Sequence, residues 1–348
     1  MRNHSAGTIA LACVVGVLAG LGQPLALAFS MVCVLATVLA PLLYAWAGLA
    51  PATVYLGVSV GAVWGLWGPE TAAAALLIFV LPAGVVIALM HRRARFFTRL
   101  KAAVGTQAAA LLALVFILYA GFGRSLVDVL VETMTGWAET LPEPLAAVLL
   151  QQFALTGTLD AESAQAVLSG QLTAAQTLAA LREIFTKTGE ALRLALPAML
   201  ISSSLVTGIF AASLSGLVCA RRGDDLDYVP LSGWFVPHGV TGGVAVALVT
   251  ALILHFTGVS GSESVLTAVL TAGEVIYAAA GAAALSRQFK QAGRGRGFRI
   301  ALIALAVLFV PRLLAIIGLA SSLLGRRGII SGYLRKKSEE NDKGDDDL

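Results

Sequence analysis

Two side chains of opposite charge stand well inside apolar runs of this chain: Glu274 within 264–285 and Arg312 within 298–324. The other Lys, Arg, Asp and Glu residues fall in loops, at the edges of apolar runs or in the tails. A lone charge at bilayer depth costs about 3 kcal/mol on insertion scales, so two of opposite sign on successive runs are expected to answer each other. Measured from the basic loop 286–299, Glu274 lies about 16 Å in and Arg312 about 20 Å in, at roughly 1.5 Å per helical residue. The depths agree to within one turn. Two chemistries follow. The pair either neutralises itself and locks two helices, or forms a polar site that binds a charged solute or relays protons. A third arrangement keeps the two apart, each snorkelling or facing water.

Other polar residues offer weaker signals. Ser202, Ser203, Ser204 and Thr207 give one apolar run a polar face. They either line a cavity or bond back to their own helix. His238 is a further candidate for the cavity wall. His238 and His255 are about 26 Å apart along a helix and cannot share a metal, so both are read as core or interfacial histidines. Cys13, Cys33 and Cys219 lie in or at the ends of apolar runs without metal-ligand spacing. They imply neither a metal site nor a disulfide framework. HExxH, GxSxG, a Walker loop, CxxC and a Gly-rich dinucleotide fingerprint are all missing. The sequence therefore points away from an enzyme, from a cofactor and from a pump with its own nucleotide site.

These residues must be positioned by membrane helices. The 348 residues are 58% hydrophobic and only 13% charged, with a mean hydropathy of +0.85. Soluble chains carry about 25% charged residues, so the fold class is an all-α, polytopic transmembrane helix bundle with the lipid bilayer as its partner. Nine apolar segments can be delimited, at 6–22, 24–47, 51–67, 71–90, 102–122, 194–218, 235–257, 264–285 and 298–324. They imply eight to ten spans. The first resembles a secretory signal at Arg2 and Ala26-Leu27-Ala28, but apolar character continues to Ala47, so it is read as a span. Gly57, Gly61 and Gly65 make two overlapping GxxxG motifs, read as a helix-packing face, and Gly16 with Gly20 makes a weaker one. No basic stripe interleaved with aromatics suggests nucleic acid.

Lys and Arg in short loops set the orientation. The loop 91–101 holds Arg92, Arg93, Arg95, Arg99 and Lys101, and 286–299 holds Arg287, Lys290, Arg294, Arg296 and Arg299, both without an acid. Both are read as cytoplasmic, as is the N-terminus beside Arg2. Residues 221–227 then also face the cytoplasm and the polar insert 123–193 lies outside, in agreement with its acidic balance. Within it Leu172, Leu178, Leu181, Ile184, Phe185, Leu192 and Leu196 recur at helical spacing, Asp160 can cap a helix, and Leu141-Pro142-Glu143-Pro144 marks a turn. The insert is read as amphipathic helices on the membrane surface or over the bundle, or as a solvated spacer. Pro311 interrupts the last apolar run. That run forms either two half-helices that return to the cytoplasm or one tilted span with an external tail. A cytoplasmic tail is the reading adopted for its basic start, and 338–348 is expected to be disordered. The chain thus divides into 1–122, 123–193, 194–324 and a tail 325–348.

Arg221-Arg222, an acidic patch, Pro230, and Trp234 and Pro237 in Leu231-Ser232-Gly233-Trp234-Phe235-Val236-Pro237 carry a family likeness. With the layout of spans, the chain from about Ala6 to Lys337 resembles the YybS-like family of predicted bacterial membrane proteins, a domain of unknown function (DUF2232). In outline it is similar to the substrate-binding subunits of energy-coupling-factor transporters. That resemblance implies a small, vitamin-like ligand and an external energising partner. The chain departs from it by having more spans and a sizeable insert. The expectation is a bacterial inner-membrane protein that binds or helps move a small solute near Glu274, Arg312 and Ser203. A scaffold that recruits partners through its basic loops and insert is the alternative.

Overall fold

The computed structural model describes residues 6–22, 31–155, 165, 167 and 173–324. Arg2, Asp160, Leu172 and the tail 325–348 lie outside the described residues, as does the side chain of Cys33. The described residues form twelve helices: α1 (Ala6–Gly22), α2 (Met31–Ala47), α3 (Leu49–Trp67), α4 (Pro69–His91), α5 (Phe96–Phe122), α6 (Leu126–Thr140), α7 (Glu143–Leu155), α8 (Ala174–Arg221), α9 (His238–Phe256), α10 (Ser262–Gln291), α11 (Arg296–Phe309) and α12 (Pro311–Leu324). The protein is an all-α membrane helix bundle. Among the described residues six helices are long and apolar enough to cross a membrane. The bent pair formed by α11 and α12 makes a seventh if counted as one span. The expected eight to ten spans also counted α1 and α2, whose described apolar stretches, Ala6–Ala19 and Val34–Ala47, are shorter than the roughly 20 residues a crossing needs.

The chain divides into two compact units, 112–196 on one side of the division and 1–111 with 197–348 on the other. In the larger unit, single glycines separate α2 from α3 and α3 from α4. Gly48 and Gly68 adopt φ of 99° and 87°, where an L side chain is strained and glycine is not. Pro69 then begins α4 where its missing N–H costs nothing. Within α4, residues 76–80 widen into a π turn just before Pro82. Proline cannot donate to the carbonyl four residues back, that of Ile78. Gln107 of α5, fully buried, donates its Nε2 to that oxygen at 3.1 Å instead. A bilayer offers no water for the task, so the amide does what solvent would do elsewhere.

Apolar lipid supplies little hydrophobic drive between helices, and close packing takes its place. The 278–284 stretch of α10, all alanine but for Gly281, shows how. A Cβ on Gly281 would sit 1.9 Å from the carbonyl oxygen of Leu314, and one on Gly318 would sit 1.8 Å from that of Tyr277. Backbones of α10 and α12 therefore touch. Arg312, at the start of α12, lies against Glu274. Ser321, near its end, accepts from Arg287 Nη2 at 3.2 Å. The two helices run parallel. α11 and α12 bend by 110° about the Val310–Pro311 break, and the second half brings Ser321 to Arg287 at the end of α10. Pro311 thus divides the last apolar run into two helices.

Gly57, Gly61 and Gly65 face no neighbour among the described residues. A Cβ on any of them meets no atom within 4 Å, so they form no packing face within the chain's described residues. α3 packs through its other side. Tyr55 is buried and donates to the Ala36 carbonyl at 2.9 Å, and a Cβ placed on Gly16 of α1 would sit 3.1 Å from the Tyr55 carbonyl oxygen. The motif's regular spacing fixed a face and could not say whether a partner covers it.

The 112–196 unit has a core of its own. Leu181, Ile184 and Phe185 of α8, which helical spacing singled out, pack with Ala138, Ala146 and Leu150 of α6 and α7. α7 starts at Glu143, directly after the Leu141-Pro142 turn. Exposed ion pairs rim the core, among them Arg182–Glu139 and Arg193–Asp128, both at 2.5 Å. α6 opens with a capping box in which the Ser125 hydroxyl accepts from the Asp128 N–H and Asp128 accepts from the Ser125 N–H. The Ser125 hydrogen bond, followed by that from Arg193, holds the Asp128 carboxyl below the ordinary carboxylate range. Its contribution is full at neutral pH and is lost as pH falls through the carboxylate range, because protons bind the unfolded form more readily. Ser125→Ala is expected to loosen α6 by about 1 kcal/mol. Hydrogen exchange over 126–140 should report that change, and Asp128→Asn should flatten its acid dependence.

Candidate functional site

Glu274 and Arg312 belong to the wall of a cavity of about 320 Å³ between α9, α10 and α12. Val244, Leu248, Val269, Tyr277, Ile316 and Leu319 supply most of the rest. Glu274 Oε1 lies 3.9 Å from Arg312 Nε, close enough for an ion pair and too far for a hydrogen bond. The two sides are unequal. The Arg312 side chain is 90% exposed from the protein's own atoms and that of Glu274 only 36%. Packing fixes the carboxylate, while the guanidinium can swing. Arg312 also sits in the first turn of α12, where the helix dipole presents its positive end, so a nearby carboxylate relieves two unfavourable terms. A volume of this size suits a small molecule. Its chemistry would be one apolar body plus one or two charged groups.

The structure separates the other candidates from this pair. Ser202 and Ser204 donate to the carbonyls of Met199 and Leu200 in their own helix. Thr207 is buried on α8. The residues found lining the Glu274 cavity come from α9, α10 and α12, and neither Ser202, Ser203 nor Thr207 is among them. Ser203 is thus outside the wall of the cavity that holds Glu274 and Arg312. Hydroxyls within a bilayer have a ready acceptor one turn back, and that local bond competes with any cavity. His238 is exposed at the first position of α9.

A second cavity, of about 350 Å³, opens between α5, α8, the 231–237 segment, α9 and α10. The Trp234–Pro237 stretch forms part of its wall. The segment is pinned from three sides. Trp234 donates its indole N–H to Val229 O at 3.0 Å, and its ring lies 5.4 Å from that of Phe96. Arg287 Nη1 donates to the Trp234 carbonyl at 2.7 Å. Asp227 accepts from the Phe96 N–H at 2.8 Å, capping α5 from 131 residues away. Arg99, fully buried, donates Nη2 to the Asp227 carbonyl and lays its guanidinium 5.9 Å from the Phe96 ring centre. Its Nε and Nη1 have no hydrogen-bond partner among the described residues.

Arg99 and Arg287 read in sequence as topology signals, yet both are structural. Nothing in a run of basic residues marks which ones turn inward. The one available signal was position: Arg99 lies a single turn into a helix whose neighbours Phe96 and Phe97 are aromatic. Asp227→Ala is expected to remove the remote cap at a cost of about 1 kcal/mol. It should also raise protease access between 222 and 237, measured by limited digestion.

The family model described as predicted membrane protein (DUF2232) matches residues 10–321. The chain belongs to that family. The match includes both cavities, the Trp234–Pro237 segment and the α10–α12 contact, so this DUF2232 protein carries its internal features within the family's own extent. No curated protein and no solved structure matches the chain.

Proposed function

We propose that this DUF2232 protein is a multi-pass protein of the bacterial inner membrane that binds a small amphipathic solute in the Glu274 cavity. The carrying observation is the ion pair at 3.9 Å on the wall of an otherwise apolar space of about 320 Å³. Glu274 is the fixed anchor. Arg312 is the movable one, able to turn its guanidinium toward an anionic group of the solute while the carboxylate keeps the local charge balanced. In this reading the 91–101 and 286–299 loops face the cytoplasm, the polar insert 123–193 lies outside, and the return of α12 leaves the tail on the cytoplasmic side. Movement of the solute across the membrane would require an energising partner. The scaffold reading calls for a filled interior, and the two cavities favour solute binding over it.

Co-purification tests the proposal. The protein extracted from native membrane is analysed by mass spectrometry for retained small molecules, beside Glu274→Gln and Ala315→Phe. A solute present with the wild-type chain and lost from both variants is the expected result. An empty wild-type protein, or equal retention by all three, would refute it.

A further inference from the structure

The cavity beside Trp234 asks for a different occupant from the one at Glu274. Its wall is almost wholly apolar, with Phe97, Leu100, Val104, Ile209 and Ile276 among the lining side chains. Its one cationic lining residue is Lys101, which is exposed and forms no ion pair among the described residues. Lys101 closes a run in which Arg92 and Arg95 are also exposed without ion pairs among the described residues, so the same end of α5 keeps an excess of positive charge beside Asp225, paired with Arg93, and Asp227, held by the Phe96 N–H. Phe235, on the wall, is 41% exposed. Gly105 lines the cavity as well, and a Cβ placed there meets nothing within 4 Å. The space is thus lined by hydrocarbon, nearly bare of hydrogen-bonding groups and headed by a single ammonium without an ion-pair partner among the described residues.

We propose that this cavity holds one acyl chain of an anionic phospholipid, with the Lys101 ammonium against its phosphate. A water-soluble solute would leave its polar groups unpaired along the wall, whereas an acyl chain has none to pair. A zwitterionic headgroup sets its own cation beside the phosphate, so it answers Lys101 less well than a headgroup of net negative charge. An anionic lipid satisfies both ends at once, and cationic groups flanking spans favour such lipids. The chain would pack against Trp234 and so brace the 231–237 segment that Arg287 and Asp227 already hold.

The indole supplies the probe. A single-tryptophan protein keeps Trp234 and carries phenylalanine at 46, 64, 67 and 137. It is reconstituted in phosphatidylcholine vesicles and titrated with phosphatidylglycerol brominated on its acyl chains, or with equally brominated phosphatidylcholine. Bromine quenches tryptophan on contact. Brominated phosphatidylglycerol is expected to half-quench Trp234 at about a fivefold lower mole fraction, the effect of one lysine at a membrane surface. Lys101→Gln should erase the preference, and Gly105→Leu, whose Cβ meets nothing within 4 Å and whose branch projects into the space, should erase the quenching. Equal quenching by both lipids, or quenching that survives Gly105→Leu, overturns the proposal. Native mass spectrometry of the unaltered chain reads the same preference without the tryptophan replacements: phosphatidylglycerol retained over phosphatidylcholine supports it, and equal retention does not. Neither measurement involves Glu274, so the solute site stands or falls separately.

Discussion

Gly318→Ala is expected to break the contact between α10 and α12. The added methyl would lie 1.8 Å from the Tyr277 carbonyl oxygen and close to the Gly281 backbone nitrogen, at 2.7 Å. Neither is a side chain that can turn aside, so the helices must part. Overpacking a dense core costs about 1–3 kcal/mol, and contact with rigid backbone belongs at or above the top of that range. Gly281→Ala meets the Leu314 carbonyl in the same way, at 1.9 Å. Separation would also pull Ser321 from Arg287 and Arg312 from Glu274, because α12 carries both. Gly57→Ala is the matched control. Its Cβ meets open space, and alanine should stabilise α3 by roughly 0.8 kcal/mol through helix propensity. Thermal unfolding in one detergent should therefore place Gly318→Ala far below the wild type and Gly57→Ala at or above it. Co-melting of Gly318→Ala with the wild type would refute the close approach.

Those two glycines also show what a sequence reveals and what it hides. Gly57, Gly61 and Gly65 advertise themselves by spacing, while Gly281 and Gly318 lie on different helices and share no motif. Contact between them depends on the bend at Pro311, which was legible, and on the parallel return of α12, which was one of two open alternatives. Helical periodicity found the core of the 112–196 unit because Leu181, Ile184 and Phe185 mark one face wherever that face is buried. Charge was read less well. Glu274 and Arg312 stood out because hydrocarbon makes any charge conspicuous. Arg99 hid among five basic residues of one loop, and its burial arises from Asp227, 128 residues away. The hydroxyls of α8 were ambiguous in sequence because the bond to their own helix and the bond to a cavity draw on the same donor.

Glu274→Ala is expected to harm the protein more than Glu274→Ala combined with Arg312→Ala. The single change leaves a guanidinium at bilayer depth with its countercharge gone, a state that costs about 3 kcal/mol on insertion scales. The position of Arg312 in the first turn of α12 adds to it, since the dipole there repels a cation. Removing Arg312 as well takes away the charge that needed an answer. Coupling of about 0.5–3 kcal/mol is typical of residues in contact. At 3.9 Å, without a hydrogen bond, this pair should fall inside that range and not beyond it. Additive losses in a double-mutant cycle, read by thermal unfolding in bilayer discs, would show that the two do not interact. Stability and ligand retention then separate the two chemistries that the pair allows. A double variant that melts like the wild type but no longer retains a solute assigns Glu274 and Arg312 to binding. One that recovers both properties assigns them to the locking of α10 against α12, with the cavity's apolar wall left to select whatever enters.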